Sequence, residues 1–252
     1  AIETGQAEQL ALHALELPHV ELMGFHCHVG SQVFGEDIFE RAASIMLAFI
    51  AHMERTHGYR ATQLDLGGGY GVRYVDTDPH LDVETKVAQV AQAVRAGCDA
   101  LGIAMPEIHM EPGRSIVGAA GMTLYTVGSV KRIPGYKNYV SVDGGMADNP
   151  RFALYRSQYT CLSADRMEET RELEMSLVGR CCESGDLLQE KTPLQACEPG
   201  DILAVLATGA YNYAMSSNYN RLPRPAVVMV KGDTSRVVVK AETYEDLVRN
   251  DL

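Results

Sequence analysis

"ATQLDLGGGYG", residues 61–71, joins a short apolar run to three consecutive glycines, Gly67, Gly68 and Gly69. A strand that ends in a loop without side chains lets backbone N–H groups come close to a bound anion. The arrangement recurs on both sides. "HVELMGFHCH" (19–28) runs into the polar "VGSQ", and "MPEIHMEPGR" (105–114) closes on an acid, a proline, a glycine and an arginine. Three strands that each end in a polar loop, with helical stretches between them, are the pattern of parallel βα architecture. In such folds the loops after the strands build the site.

The helical stretches are read from spacing. Ile38, Ala42, Ile45, Met46, Phe49, Ile50 and Met53 recur three and four residues apart, which predicts one apolar face. A second helix is predicted from about Val83 to Leu101, with Val87, Val90, Ala91, Val94 and Ala100 inward, and the opening residues 1–19 also read as helical. After about residue 118 the texture changes. "MTLYTVGSVKRI", "NYVSVDGG", "MSLVGRCCESGDLL", "GDILAVLATG", "PAVVMVKG" and "SRVVVKAE" are short β-rich runs separated by Gly, Pro and Asn/Asp turns. Glu198-Pro199-Gly200-Asp201 reads as one such turn, structural in purpose. The expected domains are 1–118, α/β, and 119–252, β-rich. A complete eight-stranded βα barrel takes about 250 residues, so three strands before residue 118 imply either a smaller open sheet or the later part of a longer barrel protein, and an opening that starts within a helical pattern favours the second.

Composition narrows the partners. The formal charge of −11 over 252 residues, without a Lys/Arg-rich block, disfavours nucleic acid. No apolar run approaches the roughly 20 residues of a membrane span, and the first residues lack a secretion-signal pattern, so a cytoplasmic protein is expected. Six cysteines without a CxxC pair argue against structural zinc and against a disulfide scaffold, and no metal is expected.

The loops carry the chemistry. Ser31, Arg114 and the glycine amides together suit a phosphate, and His28, nearest its loop, could stack on a flat ring. Glu111 ends an apolar run, where a carboxylate needs a partner. Arg114 could be that partner, or Glu111 could hold a ring nitrogen protonated while Arg114 faces an anion. In the β-rich part, Cys181 and Cys182 alternate in direction, so at most one faces a site. Residues 143–155 and 208–225 are polar and aromatic loops that read with this turn as a binding surface.

"HCHVGSQ", "LDLGGGYG", "EPGR", "VDGGMADNPRFALY", "CESGD" and "GAYNYAMSSNYN", in this order, resemble the fold-type III pyridoxal-phosphate-dependent decarboxylases, and among them the branch acting on meso-diaminopimelate. The resemblance implies a partial (β/α)8 TIM-type barrel, alanine racemase-like, followed by a β-sandwich or barrel-like domain. It implies pyridoxal 5'-phosphate as cofactor, with His28 on the ring and in the catalytic set, and Glu111 on the pyridine nitrogen. Ser31, Gly68, Gly69 and the Glu111-Pro112-Gly113-Arg114 backbone would hold the phosphate. Arg114, Arg151, Tyr155 and Glu183 would bind substrate, Tyr211 would contact substrate and cofactor, and Cys182 would return a proton to Cα. A thiol with an ordinary pKa of about 8.5 is mostly protonated at neutral pH, which suits a donor.

The implied reaction is decarboxylation of meso-2,6-diaminopimelate to L-lysine and carbon dioxide, the last step of lysine biosynthesis. The far amino acid head of that substrate needs cations for its carboxylate, Arg114 and Arg151, and an anion for its ammonium, Glu183. Ornithine, lysine or arginine decarboxylation is the neighbouring reading, and a non-catalytic homologue a further one. The family's Schiff-base lysine belongs upstream of "HCHVGSQ", and none of Lys86, Lys131, Lys137, Lys191, Lys231 or Lys240 sits in its sequence setting. The chain by itself is therefore expected to be nearly inactive. The resemblance also implies a homodimer with shared sites.

Overall fold

In the computed structural model, which describes residues 1–252, three parallel strands lie in the order β1 (Gly24–His26), β2 (Gln63–Asp65) and β3 (Glu107–His109). Their register aligns Phe25 with Leu64 and Leu64 with Ile108, so the three chains turn away from the sheet at one level. Each strand holds three residues, and the loops start sooner than the apolar runs suggest.

Helix α1 (Gln6–Glu16) precedes β1, and α2 (Ile38–His57) and α3 (Val83–Leu101) connect the strands. Asp82 caps α3 by accepting from Glu84 N–H and Thr85 N–H. Gly58 and Gly102, both at left-handed φ, stop α2 and α3. Phe39, Ala43, Leu47 and Ile50 of α2 pack with Val90, Val94 and Cys98 of α3 against Leu64, Leu66 and Tyr70. Leu64 and Leu47 have no exposed surface, and burial of one such side chain stabilises by about 1.5–3 kcal/mol.

The buried faces differ in part from those the spacing predicts. Ile38 and Ile45 are exposed, and Phe39, stacked on Tyr70 at 4.3 Å between centroids, takes the inward position. A large aromatic partner sets the rotation of the helix, which the periodicity alone left one residue out. Ala91 and Ala100 likewise face outward, while Lys86 is buried with its ammonium 3.0 Å from Glu40 Oε1.

The chain divides into two compact units, one of residues 1–72 and 79–116, the other of residues 73–78 and 117–252. No local pattern marks residues 73–78 as part of the second unit. Tyr74 O accepts from Thr160 N–H and its hydroxyl, and the Tyr74 ring meets Tyr159 edge-on at 5.4 Å.

Beyond the short helix α4 (Gly113–Val117), the second unit is a six-stranded sheet in the order β6-β9-β4-β5-β7-β8. Its strands are β4 (Met122–Arg132), β5 (Asn138–Val142), β6 (Cys161–Ser163), β7 (Leu173–Val178), β8 (Leu187–Leu194) and β9 (Ile202–Leu206). Strand β4 pairs with β9 over residues 122–126, and beyond Val127, where the register shifts, with β5. An irregularity at that point bends the strand, which lets one strand serve two ladders. The short helix α5 (Arg151–Tyr155) precedes β6, the one strand that sequence reading missed. A separate hairpin of β10 (Val227–Lys231) and β11 (Thr234–Val239) and the helix α6 (Tyr244–Val248) end the chain.

Candidate active site

In the first unit, parallel register carries the loops after β1, β2 and β3 to the same end of the sheet. The glycine loop is wedged between its neighbours. A Cβ on Gly68 would lie 2.0 Å from Glu111 O, and one on Gly69 1.9 Å from Gly30 O. Gly69 also has φ +96°, a region costly for any side chain. Asp65 Oδ1 accepts from Gly67 N–H at 2.8 Å and keeps the turn tight. The glycine triplet thus serves close loop-to-loop packing, which is a stronger demand than a simple tight turn.

The side chains expected at this end are all there. Gly68 N–H donates to His28 Nδ1 at 3.3 Å, so the neutral imidazole carries its proton on Nε2. Arg114, 8% exposed, donates from Nη2 to Ser31 Oγ at 2.7 Å and ties the third loop to the first. Glu111 follows β3 with its side chain 57% exposed, its N–H held by Gly67 O at 2.8 Å. Its Oε2 lies 3.4 Å from His26 Nε2. His26, Asp65 and Glu111 form a group whose polar atoms lie within 4.8 Å of one another. Sequence reading passed over His26 and Asp65. The register that places them side by side, His26 opposite Asp65, is the signal that was missing.

These residues fit a phosphorylated aromatic ring. Guanidinium, hydroxyl and backbone amides are the donors a phosphate takes, and an exposed imidazole and carboxylate suit a heterocycle with a basic nitrogen. A Cβ on Gly113 of "EPGR" would meet nothing within 4 Å, so that segment, unlike residues 67–69, has room in front of it. A second group, Glu8, His52 and His57, joins α1 to α2, with Glu8 Oε1 2.6 Å from His57 Nε2 and 3.1 Å from His52 Nε2. Those hydrogen bonds hold the Glu8 carboxyl below the usual carboxylate range.

In the second unit, Arg151 of α5 is buried among tyrosines. Its Nη1 donates to Tyr159 Oη at 2.8 Å, and its guanidinium lies 5.1 Å from the Tyr74 ring centroid and 5.9 Å from that of Tyr211. Burial raises the Tyr159 hydroxyl pKa, and Arg151 opposes the rise. Tyr155 is exposed at the end of the same helix, and Tyr211 is partly exposed with left-handed φ +66°. Cys182 and Glu183 lie exposed on the turn before β8, where Glu183 Oε1 accepts from Gly185 N–H at 3.0 Å. Cys181 points the other way, its thiol pushed up to about 11, chiefly by burial and then by Asp186. Of the two adjacent thiols, Cys182 is the more accessible.

With this geometry in view, comparison with known proteins is specific. Residues 2–118 match the family model of the pyridoxal-dependent decarboxylases, pyridoxal binding domain. The diaminopimelate decarboxylase of Bacillus subtilis (strain 168) is 45% identical over 251 residues, covering 100% of this chain and 57% of the relative. The chain thus spans little more than half the length of the curated relatives it matches. The crystal structure of diaminopimelate decarboxylase from M. jannaschii in complex with L-lysine superposes with a TM-score of 0.90 at 29% identity, over 100% of this chain and 56% of that one. That from Helicobacter pylori, also with L-lysine, gives 0.83 at 30% identity, over 97% and 58%. The likeness extends through both units, so the first is part of a βα barrel of the alanine racemase-like kind. Over residues 2–118 the chain matches the pyridoxal binding domain of the pyridoxal-dependent decarboxylases, and along its whole length it is similar to the diaminopimelate decarboxylases.

Proposed function

We propose that the natural protein decarboxylates meso-2,6-diaminopimelate to L-lysine and carbon dioxide with pyridoxal 5'-phosphate. The observation that carries this reading is the interlocked set of loops after β1, β2 and β3, with Arg114 bonded to Ser31 and Glu111 beside His26. When bound, the cofactor's cationic ring accepts the electron pair left behind as the Cα carboxylate departs. Residues of this chain would surround part of that ring. Ser31, Gly68, Gly69 and the Glu111-Pro112-Gly113-Arg114 segment would bind the phosphate. His28 offers its flat face to the ring, and the Glu111 carboxylate keeps a proton on the pyridine nitrogen.

Substrate recognition falls to Arg114, Arg151, Tyr155, Glu183 and Tyr211. Two guanidinium groups meet the carboxylate of the far amino acid head and Glu183 meets its ammonium. Cys182, exposed on its turn, hands a proton to Cα. Family likeness extends the proposal to a homodimer in which the "CESGD" turn of one subunit serves its mate. The place is the cytoplasm, where six unpaired cysteines stay reduced. No helix is long and apolar enough to cross a membrane.

Carbon dioxide release from meso-diaminopimelate, L-ornithine, L-lysine and L-arginine tests the substrate. Release from diaminopimelate alone, with L-lysine as product, is expected. Preferential release from any of the other three refutes the assignment. Mixing Glu111→Ala with Cys182→Ala protein tests the shared site, since only mixed dimers rebuild an intact one. Activity that stays at the level of the separate variants refutes the sharing.

A further inference from the structure

The turn that carries Cys182 and Glu183 has no regular secondary structure, yet it is fastened at two points. Asp186, at its end, is 5% exposed. Its Oδ1 accepts from Met146 N–H and its Oδ2 from Cys181 N–H, both at 2.6 Å. One carboxylate therefore joins residues 180–186 to the loop at residues 143–149. The surroundings are shaped for it. A Cβ on Gly145 would lie 2.6 Å from Asp186 Oδ1, and one on Gly179 2.2 Å from Oδ2, so both positions exclude any larger residue. Arg180 N–H donates to Gly144 O at 3.1 Å across the same junction.

Asn220 makes the second fastening. Its Oδ1 accepts from Cys182 N–H at 2.7 Å. Asn220 sits at φ +55°, a left-handed conformation that asparagine tolerates better than most residues. Ser217 N–H donates to Ala147 O at 2.7 Å, which closes the ring of loops. Residues 143–149, 180–186 and 211–221 are thus tied pairwise, and the amides of Cys181 and Cys182 are both satisfied by side chains from outside the thiol pair.

We propose that Asp186 and Asn220 are positioning residues that set where the Cys182 thiol and the Glu183 carboxylate are presented. The proposal rests on the reading of Cys182 as proton donor and Glu183 as substrate ligand, and it adds what holds them. Asp186→Asn keeps the shape but turns an amide N–H toward a backbone N–H, and Asn220→Ala deletes one acceptor. Proton donation depends on placement within a fraction of an ångström, and a misplacement of 1 Å costs about a hundredfold.

The test uses the natural protein loaded with pyridoxal phosphate. Two readouts are taken on Asp186→Asn, Asn220→Ala, Asn220→Asp and Cys182→Ala: steady-state decarboxylation, and iodoacetamide alkylation of Cys181 and Cys182 against pH, resolved by peptide mass spectrometry. Asp186→Asn and Asn220→Ala are expected to lower kcat about tenfold or more, with KM and cofactor affinity changed less than about twofold. Asn220→Asp retains the acceptor and restores kcat. In Asp186→Asn, Cys181 loses the neighbouring charge and the fastening of its N–H, and its alkylation near pH 8 rises about fivefold or more. Wild-type alkylation of Cys181 in a folded Asp186→Asn protein, or wild-type kcat in both Asp186→Asn and Asn220→Ala, overturns the proposal. Alkylation is read without turnover, so it separates the two layers: full activity of Cys182→Ala sinks the reading of Cys182 as donor while the Cys181 result still judges the fastening.

Discussion

The loops after the parallel strands and the loops of the β-rich unit face the same difficulty, which is to hold polar side chains in irregular backbone, and they meet it by opposite means. In the first unit backbone packs on backbone. Gly68 and Gly69 lie so close to Glu111 O and Gly30 O that no Cβ fits, and strand register does the aligning. In the second unit, carboxylates gather the amides. Asp186 accepts from two loops, and Asp148 accepts from Gly145 N–H and from the Tyr125 hydroxyl. The loops after β5 and β7 also follow parallel neighbours in register, Ser141 opposite Val178, yet a carboxylate from the end of the second loop is what joins them.

The comparison can be broken most forcefully at Gly69. Gly69→Ala combines a forbidden contact with an unfavourable φ, and a loss of about 2–4 kcal/mol in unfolding free energy is expected. Chemical denaturation measures it, and a loss below about 1 kcal/mol would show that the glycine loop yields easily. In the second unit, Tyr125→Phe removes one donor from the partly buried Asp148 carboxylate, whose pKa burial already raises. About 1–3 kcal/mol should be lost, read in the same way.

Acid sharpens the contrast further. Arg224 N–H, the Asn218 amide and the Arg224 guanidinium hold the Glu242 carboxyl below the usual carboxylate range. A depressed folded pKa gives stability that is present above the unfolded value and lost as pH falls through the folded one. The segment around Arg224 should therefore loosen as pH drops below the ordinary glutamate range, visible as a shift of the Arg224 amide signal. Asp148 carries the opposite sign. Its folded pKa is raised, so acid relieves the cost of its burial. The smallest effect is expected at Gly113, where nothing lies within 4 Å of a Cβ: Gly113→Ala should change stability by less than about 0.5 kcal/mol. If the same variant weakens pyridoxal phosphate binding, the glycine makes room for a ligand and not for the fold.

What the sequence disclosed follows the same division. The three loaded loops could be read directly, because a strand followed by Gly67-Gly68-Gly69 or by Glu111-Pro112-Gly113-Arg114 announces where backbone leaves the sheet. The pairing of Glu111 with His26 could not, since it depends on inter-strand register, which local pattern does not contain. In the second unit, "CESGD" shows two acids three residues apart without saying that Glu183 lies outside and Asp186 inside. Burial of an acid depends on amides from distant loops, here Met146 N–H. The helix faces were legible only to within one position, because Phe39 and Tyr70 choose each other across the core.

The central claim is that Glu111 meets the ring nitrogen of the cofactor and keeps it protonated. The most direct measurement is the 15N NMR shift of ring-labelled pyridoxal phosphate bound to the natural protein and to its Glu111→Gln variant. A protonated pyridine nitrogen in the former that becomes unprotonated in the latter is the expected result. An unprotonated nitrogen in the unaltered protein, or a shift that Glu111→Gln leaves unmoved, would contradict the account.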